Sequence, residues 1–185
     1  MQKRLILILL LSFSLNSFSQ KKFSAEILTG LGFNKDLFII NQEIEAHNIF
    51  TTQINASYKF NLYKRIFAET GIGAQWYFTS GNIELSNFKA TSLRLNVPFV
   101  VGYPISNKIS IAGGAIVNNN RDFDDYGYRA KYKFRTSLMI KGYYKLQENL
   151  DLLLMFKQNV SNFPDFYLIN QPSTDISAGI SYKLF

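Results

Sequence analysis

The sequence predicts an all-β fold, an eight-stranded antiparallel up-and-down barrel, and three observations carry that prediction. Apolar residues recur with a period of two from Phe23 to the end of the chain, and no stretch fits a period of 3.6 better. The segments defined in this way are joined by connections that alternate between short and long. Their aromatic residues gather towards the segment ends. With 47% hydrophobic and 18% charged residues in 185, the chain has the material for one ordered domain. The absence of cysteine excludes disulfide frameworks, thiolate metal sites and cysteine nucleophiles.

Residues 1–19 read as a cleavable secretory signal. Lys3 and Arg4 form a basic start, Leu5 to Leu11 an apolar run too short to cross a bilayer, and Ser17 and Ser19 the small residues before the cleavage site. The barrel domain is then 20–185, and losing Lys3 and Arg4 lowers the formal net charge from +7 to +5. The first segment puts Phe23, Ala25, Ile27, Leu31 and Phe33 on one face and Ser24 and Glu26 on the other. The second puts Phe50, Ile54, Ala56, Tyr58 and Phe60 against Gln53, Asn55, Ser57 and Lys59. The third sets Ile66, Ala68, Ile72, Ala74, Trp76 and Phe78 against Glu69 and Gln75, and the fourth Leu93, Leu95, Val97, Phe99, Val101 and Tyr103 against Ser92, Arg94 and Asn96. The fifth is glycine-rich, with Ile109, Ile111, Ala115 and Val117 in phase. The last three place Phe134, Leu138, Ile140 and Tyr144 over Arg135, Lys141 and Lys145; Leu150, Leu152, Leu154 and Phe156 over Asp151 and Lys157; and Ile176, Ala178, Ile180, Tyr182 and Leu184 over Asp175, Ser177 and Lys183. Asn61 to Arg65, Ser106 to Lys108 and Gln147 to Asn149 read as tight turns, whereas Asn34 to Asn48, Thr79 to Phe88, Asn118 to Lys133 and Ser161 to Pro172 read as long loops at the opposite end.

Alternation alone does not decide which face is inside, because a soluble ligand-carrying barrel has the same period. The position of the aromatics decides it. Phe23, Tyr58, Tyr103, Tyr144 and Tyr182 fall near the short-turn end and Phe33, Phe50, Trp76, Phe78 and Phe134 near the long-loop end, with aliphatic residues such as Ile27, Ile54, Leu95, Ile140 and Leu152 between. Two aromatic girdles around an aliphatic belt match the two interfaces and the hydrocarbon core of a bilayer, so the expected object is a transmembrane barrel with its apolar face outward.

The chain resembles the small eight-stranded outer-membrane β-barrel families, particularly the barrel domain common in Bacteroidetes-type bacteria and, more broadly, the OmpA-transmembrane and OmpX-like barrels. The resemblance rests on the signal segment followed by Gln20, on Leu93 to Tyr103 (LRLNVPFVVGY) and on the ending Ile176 to Phe185 (ISAGISYKLF), and it extends over the whole mature chain. It implies residence in the outer membrane of a Gram-negative cell and insertion by the assembly machinery that reads an aromatic last residue. Phe185 departs from the pattern: it is out of phase with Ile180 and Tyr182, so that a bulge or a turn round the rim is expected there. Pro98, which lacks a ladder donor, is likewise expected at a bulge.

The inward phase carries Glu26, Glu69 and Asp151 together with Lys59, Arg94, Arg135, Lys141, Lys145, Lys157 and Lys183. Buried charges are paired or hydrated, and eight strands enclose little more than side-chain volume, so a plug of ion pairs is the expected filling. The alternative is a narrow anion-preferring, porin-like conduit or ligand carrier with Arg94 and Arg135 at its constriction. A lipid-modifying enzyme needs a histidine beside a serine or an acid. The only histidine is His47, near Glu43 and Glu45, and a serine partner would have to come from another loop, such as Ser80, Ser86 or Ser161, so no catalytic residue is assigned. Asn120, Asp122 and Asp124 alternate as in a calcium loop, but Asp125 stands where glycine is required and Lys131 where a glutamate is, so neither a metal nor another cofactor is expected.

The loops hold apolar residues unusual for solvated connections, including Phe38, Phe123, Tyr126 and Phe166, a surface suited to an envelope protein partner. Lys131 and Lys133 lie near them and suit the phosphates of lipopolysaccharide. The role expected is therefore structural or interactive, with membrane lipids, lipopolysaccharide and possible protein partners. Nucleic acid is not expected, because export carries the chain away from it.

Overall fold

The computed structural model describes residues 23–33, 37–39, 42–83, 86–121, 133–160 and 174–184. The signal segment and Phe185 lie outside these. The strands are β1 (Phe23–Phe33), β2 (Leu37–Ile39), β3 (Gln42–Tyr63), β4 (Ile66–Ile83), β5 (Ser86–Pro104), β6 (Ile109–Arg121), β7 (Lys133–Lys145), β8 (Leu150–Asn159) and β9 (Thr174–Lys183). Every pairing is antiparallel, and β1 pairs with both β9 and β3, so eight strands form a closed ring with the short β2 attached only to β3.

The register fixes the ring's shape. Starting from Phe23, the row of paired residues passes through Tyr58, Thr70, Phe99, Ala115, Leu138, Gln158 and Thr174, and it returns to β1 at Phe33. The row climbs ten residues, from Phe23 to Phe33, in one circuit. Such a stagger obliges the strands to tilt by roughly 35–45° and leaves an interior wide enough for side chains and little else.

Burial alternates along the strands as the period of two requires. Leu28, Glu26, Gln53, Glu69, Lys141 and Asp175 point inward and are buried, while Ile27, Ile54, Ile72, Leu95, Leu138, Leu154 and Ile180 are exposed on the outside. The molecule is thus inverted relative to a soluble globule, with charge within and aliphatic side chains without. The outer face includes every predicted girdle residue: Phe23, Phe33, Phe50, Phe78, Tyr103, Phe134, Tyr144 and Tyr182 are exposed, and Tyr58 and Trp76 half-buried among their neighbours. The rings touch at both ends, Phe23 to Tyr58 at 4.7 Å and Phe50 to Phe78 at 6.2 Å between centroids.

Tight turns at 64–65, 105–108 and 146–149 close one end. In the first, Lys64 takes φ 46°, a left-handed conformation seldom held by a lysine, and its ammonium lies 5.1 Å from the Tyr63 ring. Ser106 Oγ accepts from the amides of Lys108 and Ile109 in the second.

Four expectations need correction. Thr79 to Phe88 is not a loop: β4 and β5 stay paired as far as Ile83 and Ser86, with two residues between. Within 34–48, likewise, 37–39 and 42–48 are strand, His47 being the extra residue where the β3–β4 register shifts. Beyond the outer girdle neither face of a strand has to be apolar, so the period of two fades while the backbone ladder, which needs no particular side chain, continues. Pro98 occupies no bulge. The β4–β5 register is unchanged on either side of it, the rungs opposite Gly71 and Ile72 are simply missing, and Thr70 Oγ1 donates to the Pro98 carbonyl at 3.0 Å. Lys145 is exposed at the short-turn end instead of facing the lumen, because β7 ends there.

If the outer belt faces hydrocarbon, Ile54→Arg, in a row with Ile27 and Ile180, should lower folding stability in lipid vesicles by about 2–4 kcal/mol. Tyr182→Arg at the girdle should lower it by about 0–1 kcal/mol. Urea titration of the refolded barrel measures both, and equal effects would count against a bilayer around the belt.

Candidate functional site

The inward side chains of β1, β4 and β7 meet near the short-turn end. Lys141 Nζ lies 2.7 and 2.8 Å from the two carboxylate oxygens of Glu26 and 2.6 Å from Glu69 Oε1. Lys141 is 1% exposed and the two glutamates no more. Neutral donors complete the shell: Asn55 Nδ2 donates to Glu26 Oε2 at 3.0 Å, Gln53 Nε2 to Asn55 Oδ1 at 2.8 Å, and the Tyr143 hydroxyl to Glu69 Oε2 at 3.0 Å. Lys59 stands 3.5 Å from Glu69, its ammonium 4.0 Å from the Tyr143 ring and 4.5 Å from that of Phe67. Those rings pack edge to face, and the Phe67 ring occupies the space a side chain at position 102 would need, which only glycine leaves open. At the rim Lys183 pairs with Asp151 at 3.0 Å.

A second polar layer lies towards the long-loop end. Lys157 Nζ donates to Gln75 Oε1 at 2.6 Å and to the Tyr77 hydroxyl at 2.7 Å, and it is 3.2 Å from Asp175 Oδ2. Asp175 also accepts from Gln75 Nε2 at 2.7 Å and Ser177 Oγ at 2.5 Å. The Arg94 guanidinium lies 4.1 Å over the Tyr77 ring, and Arg135 is buried on β7. The β3–β5 wall here is rich in amides. Asn55, Gly73 and Asn96 share one row, and a side chain at Gly73 would collide with both amides. Gln53 Oε1, Asn96 Oδ1 and Asn118 Oδ1 accept no bond from the described residues.

Between the layers one side of the lumen is apolar, which the charges of the inward phase do not suggest. Leu28, Val100, Ile116, Met139, Leu153 and Met155 belong to one buried cluster, and the inward positions of β8 run Asp151, Leu153, Met155, Lys157. On the β1 and β5–β8 side charge, hydrocarbon and charge therefore succeed one another along the axis, while on β3 and β4 the buried amides Asn55, Gln53 and Gln75 continue from the Glu26 layer to the Asp175 layer.

Of the ten charges expected in the inward phase, Glu26, Glu69, Arg94, Arg135, Lys141, Asp151 and Lys157 are buried in the lumen, Lys59 and Lys183 are half-buried at its mouth, and Lys145 is exposed. Gln75 and Asp175, read on the inward face but not among its charges, join the lumen network, and Tyr77 and Tyr143 were missed. All four stand in the inward phase, and Tyr77 and Tyr143 were obscured by outward aromatic neighbours at Trp76, Phe78 and Tyr144. Of the loop residues, Phe38 lies in β2 and Lys133 begins β7. Phe123, Tyr126, Lys131, Phe166 and the acidic part of the calcium-like stretch lie outside the described residues. Among the described residues no group of three or more histidine, aspartate or glutamate side chains is arranged to hold a metal.

No protein-family model matches the sequence, and no curated protein does. Solved structures do. The outer membrane protein OprG from Pseudomonas aeruginosa aligns with a TM-score of 0.53 at 13% identity, over 87% of this chain and 94% of that one. The Yersinia pestis outer membrane protein Ail gives 0.47 at 11% identity, over 87% and 98%, and a set of de novo designed transmembrane β-barrels 0.45 at 13%, over 91% and 99%. The likeness to OprG shows the fold, an outer-membrane type of eight-stranded barrel.

Removing one member of a buried ion cluster strands the others. Lys141→Met should lower stability by about 3–5 kcal/mol, and adding Glu26→Gln and Glu69→Gln should restore most of it. Urea unfolding in detergent micelles gives the comparison; a harmless Lys141→Met would mean that the lumen is freely hydrated.

Proposed function

We propose that the protein is a non-conducting, non-catalytic outer-membrane barrel that serves as a rigid base for contacts outside the cell. The observation that carries this reading is the pairing of a filled lumen with an uneven rim. Lys141, fixed between Glu26 and Glu69, stands across the bore at one level, and the buried cluster of Leu28, Met139 and Met155 narrows it at the next. A solute crossing it would have to displace both.

Meanwhile β3, β4 and β5 have 22, 18 and 19 residues, against 10 to 13 in β1 and β6–β9. About 9–11 residues suffice to cross a bilayer obliquely. The surplus stands on one side, as a sheet beyond the Phe50 and Phe78 girdle. Its backbone is tied by the ladder that continues from the membrane wall, so a partner meeting it finds little conformational entropy left to remove. The signal segment, the two girdles, and the likeness of Leu93 to Tyr103 and Ile176 to Phe185 to Bacteroidetes-type barrels support an outer-membrane location with short turns in the periplasm. Envelope proteins and lipopolysaccharide are the proposed contacts of the long-loop end.

In planar bilayers the purified barrel should give no discrete conductance steps; a steady anion-selective unit current would replace this reading with the conduit. Pull-down from native outer membrane should recover a stoichiometric partner. A variant in which a two-residue turn replaces 82–87 should lose that partner while still showing the heat-modifiable gel migration of a folded barrel.

A further inference from the structure

The outer wall is not uniformly covered. Across β5, β6 and β7 the outward row reads Val101, Gly113, Ile140, and the row on its short-turn side Tyr103, Ile111, Gly142. Where the glycines stand, the side-chain layer is interrupted. An apolar groove of about 500 Å³ opens there, bordered by Ile66, Val101, Tyr103, Ile111, Gly113 and Ile140. A Cβ added at Gly113 would meet nothing nearer than 4.0 Å, so the space is real and could be filled without strain on the backbone.

The groove runs towards the short turns, where cations stand. Arg65 immediately precedes Ile66 at the groove's border, and Lys108 lies in the 105–108 turn joining the two strands that supply Tyr103 and Ile111. That turn is fixed by Ser106 Oγ, which accepts from the amides of Lys108 and Ile109, while the Lys108 carbonyl accepts from Lys145 N. Both cations are exposed, and among the described residues neither side chain meets a carboxylate. The lumen charges of the lower barrel are paired, as Lys183 is with Asp151 and Lys141 with the glutamates, whereas at the rim Lys64 and Lys145 are exposed like Arg65 and Lys108.

We propose that this groove binds one anionic phospholipid of the leaflet at the short-turn end, an acyl chain lying along Gly113 and the phosphate meeting Arg65 and Lys108. A hydrocarbon tail fits a groove with almost no polar lining, and two exposed cations at its headgroup end select negative charge over a zwitterion. Tyr103, at the girdle, marks the level where tail gives way to headgroup. The proposal rests on the bilayer-spanning reading but not on which leaflet is periplasmic.

The test is native mass spectrometry of barrels released from nanodiscs of equimolar phosphatidylglycerol and phosphatidylcholine. The wild type should retain one phosphatidylglycerol in preference to phosphatidylcholine. Arg65→Gln with Lys108→Gln should reduce that preference by about ten-fold. Gly113→Leu, which fills the groove, should abolish retention of either lipid. Equal retention of the two lipids by the wild type, or unchanged retention in both variants, overturns the proposal. So does a two-copy species that Gly113→Leu converts to one copy without loss of lipid, since the groove would then be a contact between barrels. Each sample is first checked for heat-modifiable migration, and a chain that never enters the bilayer defeats the barrel reading instead.

Discussion

Closure of the backbone ladder with a stagger of ten residues, seen in the return of the Phe23 row at Phe33, is the constraint from which the other features follow. In hydrocarbon an unpaired amide or carbonyl has no solvent to turn to, so a spanning sheet has to close on itself. Eight strands with that stagger enclose a space only as wide as a few side chains. Whatever the inward phase carries must then fill that space together. This is why side chains distant in sequence meet: Glu26 of β1, Glu69 of β4 and Lys141 of β7 share one set of hydrogen bonds because the bore is too narrow for them to stand apart.

The lumen shows how such a space is made stable with polar material. Two carboxylates facing each other within a dry wall are costly, and one lysine between them is costly alone. Together, with Asn55 and Tyr143 supplying neutral donors, nearly all the lone pairs of the carboxylates are used. The arrangement at Asp175 repeats the logic with one carboxylate, Lys157, Gln75 and Ser177. Between the two layers the methionines and leucines of β7 and β8 and Leu28 lower the polarity beside each cluster and so strengthen it electrostatically.

The eight barrel strands, their three tight turns and the direction of most of their side chains were legible in the sequence because a wall with a lipid face and a lumen face writes a period of two. Ile27, Ile54 and Ile180 read as one face from spacing alone, and the register sets them in one row. The extended part of β3–β5 was not legible, since Ser80, Gly81, Asn82, Ser86 and Asn87 form a ladder without apolar alternation and have the composition of a loop. Individual lumen charges were legible as a set but not as pairs. Period assigns a face, whereas partnership depends on the stagger of the ring, and no single strand records it. The same limit hid the apolar band, for Met139 and Leu153 look like exceptions within their own strands and become a cluster only once β1 and β5–β8 are brought round.

The uneven barrel also explains why one sector differs from the rest. On β3 and β4 the inner wall is polar, with Gln53, Asn55, Glu69 and Gln75, and the outer wall is well covered by Ile54, Tyr58, Ile72 and Trp76. On β5 to β7 the inner wall carries Val100, Ala112, Ile116 and Met139, and the outer wall thins at Gly113 and Gly142. Around this apolar patch, set between the lumen charges Arg94 of β5 and Lys141 of β7, the inner layer is held by tight packing, with Phe67 seated over Gly102 beside Ala112. Small residues that let the inner layer pack closely leave the outer surface short of side chains in the same strands. Hydrocarbon from the surroundings then completes the packing there, and a lipid tail supplies the dispersion attraction that side chains at Gly113 and Gly142 would otherwise provide.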